Sequence, residues 1–169
     1  MSREICFKPI GVVEKGLPRL SARREHKSRY EIESIIRIHE EYVEGLKGIE
    51  EYSHIIVIYV MHEEDRVRIK VKPWGRDDLP EVGIFATRFP PRPNHIALSV
   101  VELISVEPPK LKVRGLDAWS GSPVIDIKPY DYYDVVRNPR IPKWLLSKWN
   151  EKANLYRRIA PWLGPQSPG

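Results

Sequence analysis

A single cysteine, Cys6, stands in 169 residues. One thiol excludes an internal disulfide framework and any multi-cysteine zinc site. Its expected place is that of a small buried apolar side chain. The five histidines show no His-Glu-x-x-His spacing, so no metal site is expected. No apolar run approaches the roughly 20 residues that cross a bilayer, and residues 1–13 lack the apolar centre of a leader segment. No membrane association and a cytoplasmic location are expected. No Gly-x-Gly-x-x-Gly follows a strand and no Walker motif is present, so a dinucleotide fold or phosphate loop finds no support. No Ser, His and Asp set sits in a nucleophile elbow. Internal repeats are absent too, and low complexity is confined to the short tail 164–169.

What is present is a soluble, globular composition, 30% charged and 41% apolar, with a net charge of +5. Such a balance mildly favours a polyanionic partner. The length suits one domain with an appendage. The chain is organised around residues 83–101. Ile84, Phe85 and Ala86 read as one strand. Residues 96–103 read as another, alternating Ile96, Leu98 and Val100 against Ala97, Ser99, Val101 and Leu103, with both faces largely buried. Between them Pro90, Pro91 and Pro93 fix φ and remove backbone donors, which makes a stiff loop. Arg88 and Arg92 place two permanent charges on that frame. Such a loop suits an anionic or nucleotide-like ligand; equally it suits a rigid surface loop with solvated arginines. Arg88 is expected against the pocket wall, and Arg92 at the most exposed part of the loop.

Further strands are expected over 7–13, 30–38, 54–60, 67–71, 111–116 and 124–127. The β-branched run 54–60 reads as a central strand buried on both faces. About two helical turns fit 39–46. Residues 14–29 read as a polar loop with a basic cluster. Many short strands broken by Gly and Pro argue for a mainly β protein, a small antiparallel or mixed β-barrel that closes its own edges. Its expected core includes Ile36, Ile56, Ile58, Phe85, Leu98, Val100 and Val113. The domain expectation is a barrel over 1–130 and a basic, Trp-containing helical extension over 131–169. The extension's helix is expected over 143–159, with Trp144, Trp149 and Trp162 docked.

Three separated motifs carry a resemblance. Gly83-Ile84-Phe85-Ala86-Thr87-Arg88 followed by Arg92-Pro93-Asn94 resembles the first signature of the TsaA-like family. Leu116-Asp117 and Gly121-Ser122-Pro123-Val124-Ile125-Asp126-Ile127-Lys128-Pro129-Tyr130 resemble its second. Ser53-His54-Ile55-Ile56-Val57 and Met61-His62-Glu63 resemble a third. The match spans roughly 8–130, in order and spacing. The resemblance implies a β-barrel tRNA methyltransferase that uses S-adenosyl-L-methionine and methylates N6 of threonylcarbamoyl-adenosine, the base 3′ of the anticodon. It also implies a homodimer with the pocket near the interface.

Residue by residue, the resemblance assigns the cofactor to Arg24, Glu25, His62, Glu63, Arg88, Leu98, Leu116 and Asp117. Leu98 and Leu116 would pack on the adenine. Arg92, Asn94 and Lys128 would meet the RNA. Asp126 and Tyr130 would orient or deprotonate N6; otherwise they are a strand-end carboxylate paired with Lys128 and a packed tyrosine. Two departures stand out. Ala22-Arg23-Arg24-Glu25 replaces Ala-Pro-Arg-Gln, and Arg92-Pro93-Asn94-His95-Ile96-Ala97 replaces Arg-Pro-Asn-Pro-Ile-Gly. A non-catalytic RNA-binding barrel, or a methyltransferase for another modified nucleoside, stays open beside the tRNA N6-methyltransferase.

Overall fold

The computed structural model describes residues 4–17, 31–136 and 139–151, the last four by backbone alone. The chain divides into two compact units, Met1–Tyr132 and Tyr133–Gly169. In the first, six strands close into a barrel: β1 (Gly11–Lys15), β2 (Glu33–Ile38), β3 (His54–Val60), β6 (Ile96–Glu107), β7 (Lys110–Arg114) and β8 (Pro123–Pro129). Their order around the ring is β1-β2-β7-β6-β3-β8, and every pairing is antiparallel. Outside the ring, β4 (Lys70–Val71) pairs with β5 (Val82–Gly83) as a small hairpin. A 3-10 helix, Glu40–Leu46, stands where two helical turns are expected.

Period-2 alternation fills the barrel. Val13, Ile36, Ile38, Ile55, Val57, Val101, Leu111, Val113 and Val124 point inward and are buried. Strand β6 serves two neighbours. Its first half pairs with β3 from Ile96 to Glu102, and its second half pairs with β7. A register shift between Leu103 and Ser105 lets it turn the corner of the ring.

Several expectations are corrected. Ile36 and Val113 are core residues, but Leu98 and Val100 are 47% and 41% exposed. Register explains this: Ile55 pairs with Val101 and Val57 with Ser99, so the odd positions face inward. Ile56 and Ile58 belong to the opposite, half-buried face of β3. A continuous β-branched run does not reveal its inner face. Residues 84–86 form a 3-10 turn rather than a strand, and Phe85 is 77% exposed. Within 67–71 only Lys70–Val71 is strand, and Val67 and Ile69 are exposed. Strand β1 begins four residues later than expected, beyond Pro9, and Cys6 is exposed rather than buried. In the second unit a helix, α1, covers Lys143–Glu151. Trp144 is half-buried there; the side chain of Trp149, and Trp162, lie outside the described residues.

The barrel's exterior has two chemically different sides. On β1, β2 and β7, Glu14 meets Arg37 and Lys110, while Glu33 meets Lys112 and Arg114, and Arg114 also reaches Glu102. Hydrogen bonds from Lys112 and Arg114 hold the Glu33 carboxyl below its ordinary range. On β3 and the first half of β6, the outer face is apolar: Ile56, Ile58, Val60, Ile96, Leu98 and Val100.

The corrected core can be tested by contrast. Leu111→Ala should cost about 2–5 kcal/mol by opening a cavity inside the ring. Phe85→Ala should stay within about 0.5 kcal/mol, as exposed substitutions do. Urea denaturation midpoints of the two variants check both values.

Candidate active site

The rim of the barrel next to the proline loop holds a cavity of about 680 Å³, within the size range of small-molecule and cofactor sites. Its wall comes from four segments. The end of β3 and the turn after it supply Tyr59, Met61, His62, Glu63, Glu64 and Arg66. The proline loop supplies Arg88, Pro90 and Arg92, and the start of β6 supplies Ile96, Ala97, Leu98 and Ser99. The strap between β7 and β8 supplies Asp117, Ala118, Trp119 and Ser122.

The strap is held from below. Leu116 and Ala118 are buried in the core and anchor it. The continuation of β1 pins it from the side: Leu17 N–H donates to the Ala118 carbonyl at 2.7 Å, and Gly16 N–H to Ser120 Oγ at 3.0 Å. Gly16 permits this approach, because a Cβ there would stand 2.3 Å from the Ala118 oxygen. Under the cavity floor, the Tyr59 hydroxyl donates to the Asp117 carbonyl, and Ser99 Oγ accepts from Asp117 N–H at 3.4 Å. His62 Nδ1 lies 3.2 Å from Ser122 Oγ, and its Nε2 lies 3.7 Å from Glu63 Oε1. This is not a hydrolytic arrangement. Ser122 is buried, and its N–H is spent on the Trp119 carbonyl, so it offers no oxyanion donor.

The proline loop and the hairpin brace one another. Arg68 N–H donates to the Pro91 carbonyl at 3.1 Å, and His95 Nε2 donates to the Arg66 carbonyl at 2.9 Å. His95 has φ 49°, which proline cannot adopt. The loop therefore takes a path that the Arg-Pro-Asn-Pro pattern excludes. The Ala97 methyl lines the cavity, so this departure trims the site itself.

Arg88 lines the cavity, as expected, whereas Arg92, expected at the most exposed part of the loop, is the more buried of the two. Arg92 is half-buried, donates to the Thr87 carbonyl at 2.7 Å and sits 6.0 Å over the Phe85 ring. Arg88 is exposed and makes no ion pair among the described residues. Both line the cavity. So do His62, Glu63, Leu98 and Asp117. Leu116 does not: it is wholly buried beneath the strap. Arg24 and Glu25 lie outside the described residues. Asn94 is exposed on the loop, away from the cavity wall. Asp126 and Lys128 form a 2.7 Å ion pair on the outer face of β8, and Tyr130 tilts against His54 with ring centroids 6.3 Å apart. Asp126 stands beside Ile58, which stands beside Leu98. Two strand spacings, roughly 10 Å, thus separate it from Leu98.

Sequence reading missed Glu64, Arg66, Ser99, Trp119 and Ser122. Ser122 lies within a motif and Glu64 directly follows one, whereas Ser99 and Trp119 join them through barrel closure. Glu64 accepts from Arg66 Nε at 2.8 Å, from Nη2 at 2.9 Å and from its backbone N–H at 3.1 Å. The guanidinium, then the backbone donor, pull the carboxyl down to about 2. Among the described residues no group of three His, Cys, Asp or Glu side chains is arranged to hold a metal ion.

Comparison with known proteins places these features. The model of the tRNA-methyltransferase O N-terminal domain family matches residues 14–135. An S-adenosyl-L-methionine-binding protein of Archaeoglobus fulgidus is 46% identical over 126 residues, covering 75% of this chain and 89% of that one. A mouse tRNA (adenine(37)-N6)-methyltransferase is 39% identical over 87 residues, 51% of this chain and 20% of that protein. The crystal structure of TrmO from Pseudomonas aeruginosa superposes with a TM-score of 0.65 at 28% identity. It covers 83% of this chain, which in turn spans 63% of that one, under two thirds of its length.

The Glu64–Arg66 pair gives a pH signature. A carboxyl near 4.3 when unfolded and about 2 when folded stabilises the fold above pH 4.3. That contribution is lost as pH falls through about 2. The thermal midpoint of the unsubstituted protein should exceed that of Arg66→Ala at pH 7, and the gap should shrink between pH 4 and 2. A gap constant down to pH 2 would show that the pair does not exclude the proton.

Proposed function

The chain belongs to the tRNA-methyltransferase O family, and from that premise we propose that it methylates N6 of threonylcarbamoyl-adenosine beside the anticodon of tRNA, with S-adenosylmethionine as donor. The observation that carries this reading is the make-up of the cavity. One wall offers a cation with no carboxylate of its own, another offers acids, and an apolar edge lies between them.

That make-up fits the donor. Arg88 has donors to give and would take the amino-acid carboxylate. Asp117 and Glu63 would accept hydrogen bonds from ribose hydroxyls or amino groups. Leu98, Ile96 and Ala97 would line the purine and its linker. S-adenosylmethionine, when bound, supplies an electrophilic methyl on a sulfonium. The protein has little covalent work left and mainly positions two partners. N6 beside a carbamoyl group carries a comparatively acidic proton, which a carboxylate or phenol can take. Asp126 and Tyr130 keep that assignment. Arg92, Asn94 and Lys128 are assigned to the RNA, and a tRNA substrate carries the expectation of a cytoplasmic location.

A homodimer belongs to the same reading. The apolar outer face of β3 and β6 runs to the cavity edge at Leu98, while the opposite side of the barrel is covered by ion pairs. Burying an exposed apolar sheet face against its own copy would stabilise both. Asp126 and Tyr130 flank this face on β8, so pairing would carry them into the interface beside the site.

Two outcomes test these assignments. Arg88→Ala should weaken S-adenosylmethionine binding in calorimetry by about 1.5–3 kcal/mol if the guanidinium bonds the carboxylate; unchanged affinity removes it from the site. In sedimentation equilibrium the unsubstituted chain should be a dimer and Val100→Asp a folded monomer, whereas a monomeric unsubstituted chain ends the pairing proposal. Nucleoside mass spectrometry of tRNA incubated with enzyme and donor tests the reaction itself.

A further inference from the structure

Residues 66–92, the hairpin and its flanks, are unlike the barrel in two ways. They hold seven Arg or Lys against three Asp or Glu, so they account for +4 of the chain's net +5. They also hold large aromatic side chains in water: Trp74 is 56% exposed, Phe85 77% and Phe89 42%. Aromatics interleaved with cations are the surface chemistry of single-stranded nucleic-acid binding. Successive bases stack on the rings, and the cations follow the phosphates.

The backbone keeps the tip ring outward. Trp74 sits in a turn formed by Pro73, Trp74 and Gly75, with φ 53°. A left-handed tryptophan is costly and persists only where its surroundings hold it. Pro73, buried and rigid, fixes one side; Gly75, at φ 67°, continues the left-handed path that returns the chain towards β5. Phe85 stands at the root of the hairpin, just past the Lys70–Gly83 pair, with Arg92 over its ring. From its root to its tip the hairpin spans at most about 20 Å. Of the cations along it, Arg66 and Arg76 each donate two side-chain hydrogen bonds, to Glu64 and Asp78, whereas the two lysines are weakly committed. Lys72 pairs with Asp77 and Lys70 reaches Glu81 at 4.0 Å, both at the surface. Such pairs yield readily to phosphate. Arg68 and Arg88 make no ion pair among the described residues.

We propose that this hairpin is a stacking platform for unpaired bases of the RNA loop whose target adenosine enters the cavity, with Phe85 at the cavity rim and Trp74 at the far end. The proposal rests on the reading of the substrate as tRNA and adds the surface that holds the loop around the target base. Charge selects RNA over a protein partner as occupant: the exposed apolar side chains Val67 and Ile69 alternate with Arg68 and Lys70 rather than forming an uncharged patch.

Fluorescence anisotropy with a labelled anticodon stem-loop at several salt concentrations tests it, beside calorimetry with S-adenosylmethionine and a thermal midpoint for each variant. Trp74→Ala should lose about tenfold or more in RNA affinity, the worth of one stacked base. Trp74→Tyr should retain most of it. Neither should change the salt slope, since no phosphate contact is removed, nor the cofactor affinity or midpoint. Phe85→Ala should act in the same direction. If Trp74→Ala and Phe85→Ala bind the stem-loop as the unsubstituted protein does, the platform is wrong while the proposed function stands. A salt slope that falls with Trp74→Ala also overturns stacking, because the tip then acts through charge. If the unsubstituted protein binds cofactor but no stem-loop, the tRNA reading fails and the platform with it.

Discussion

Closure of a small barrel is the constraint on which the rest depends. Six strands leave an interior that side chains alone must fill, and the ring closes where β1 meets β8, with Gly11 and Val12 opposite Val124 and Pro123 and backbone hydrogen bonds from Ile10, Val13 and Gly121 extending the joint. Close backbone approach also holds β1 and its continuation. A Cβ on Gly11 would lie 2.4 Å from the Arg37 carbonyl, and the same holds for Gly16 against the strap. The strap that β1 pins is the one that carries Asp117 and Trp119 into the cavity wall. Closing the fold and building the site are thus one act. The cavity exists because four loops are delivered to one rim by strands that cannot slide without turning their core residues outward.

The same closure divides the exterior. Each strand has one face spoken for, and the other must suit water or a partner. On β2 and β7 the outer residues are Glu33, Lys112 and Arg114, which satisfy one another at low cost in solvent. On β3 and the start of β6 they are isoleucines, a leucine and valines, which water does not suit. An antiparallel sheet with one wet face needs alternating polarity, and this half of the barrel lacks it. The departure runs up to the cavity edge at Leu98.

Much of this is legible in the sequence, and the reasons are local. Strand β3 is found at its full length because β-branched residues fit a pleated surface and His54 begins a run without Gly or Pro. The barrel follows from many short strands with Gly and Pro between them. His62, Glu63, Arg88 and Asp117 are found at the cavity because motifs fix strand ends, and strand ends are where a barrel presents side chains. What escapes is anything set by register. Leu98 and Val101 are equally apolar; only pairing with Ile58 and Ile55 decides which faces inward. Leu116 neighbours Asp117 in the motif, yet alternation sends the two to opposite sides of the strap. Phe85 is as apolar as any core residue, and its exposure follows from a 3-10 turn that the triplet Ile84-Phe85-Ala86 does not announce.

Strain gives a last step. Among the described residues, two that are not glycine take a left-handed backbone, Trp74 and His95. Neither is in a strand of the barrel. His95 ends the proline loop and ties it to Arg66; Trp74 turns the hairpin that the loop braces through Pro91. Sequences that specify a fold violate local rules mainly where function asks for it. Here no strand of the ring holds a left-handed residue, and both violations fall in the hairpin and the end of the proline loop beside it. Rigid prolines beside strained residues also explain the loop's composition. A mobile loop would lose its ordering entropy at each binding event, whereas Pro90, Pro91 and Pro93 set the path of Arg88 and Arg92 before a ligand arrives.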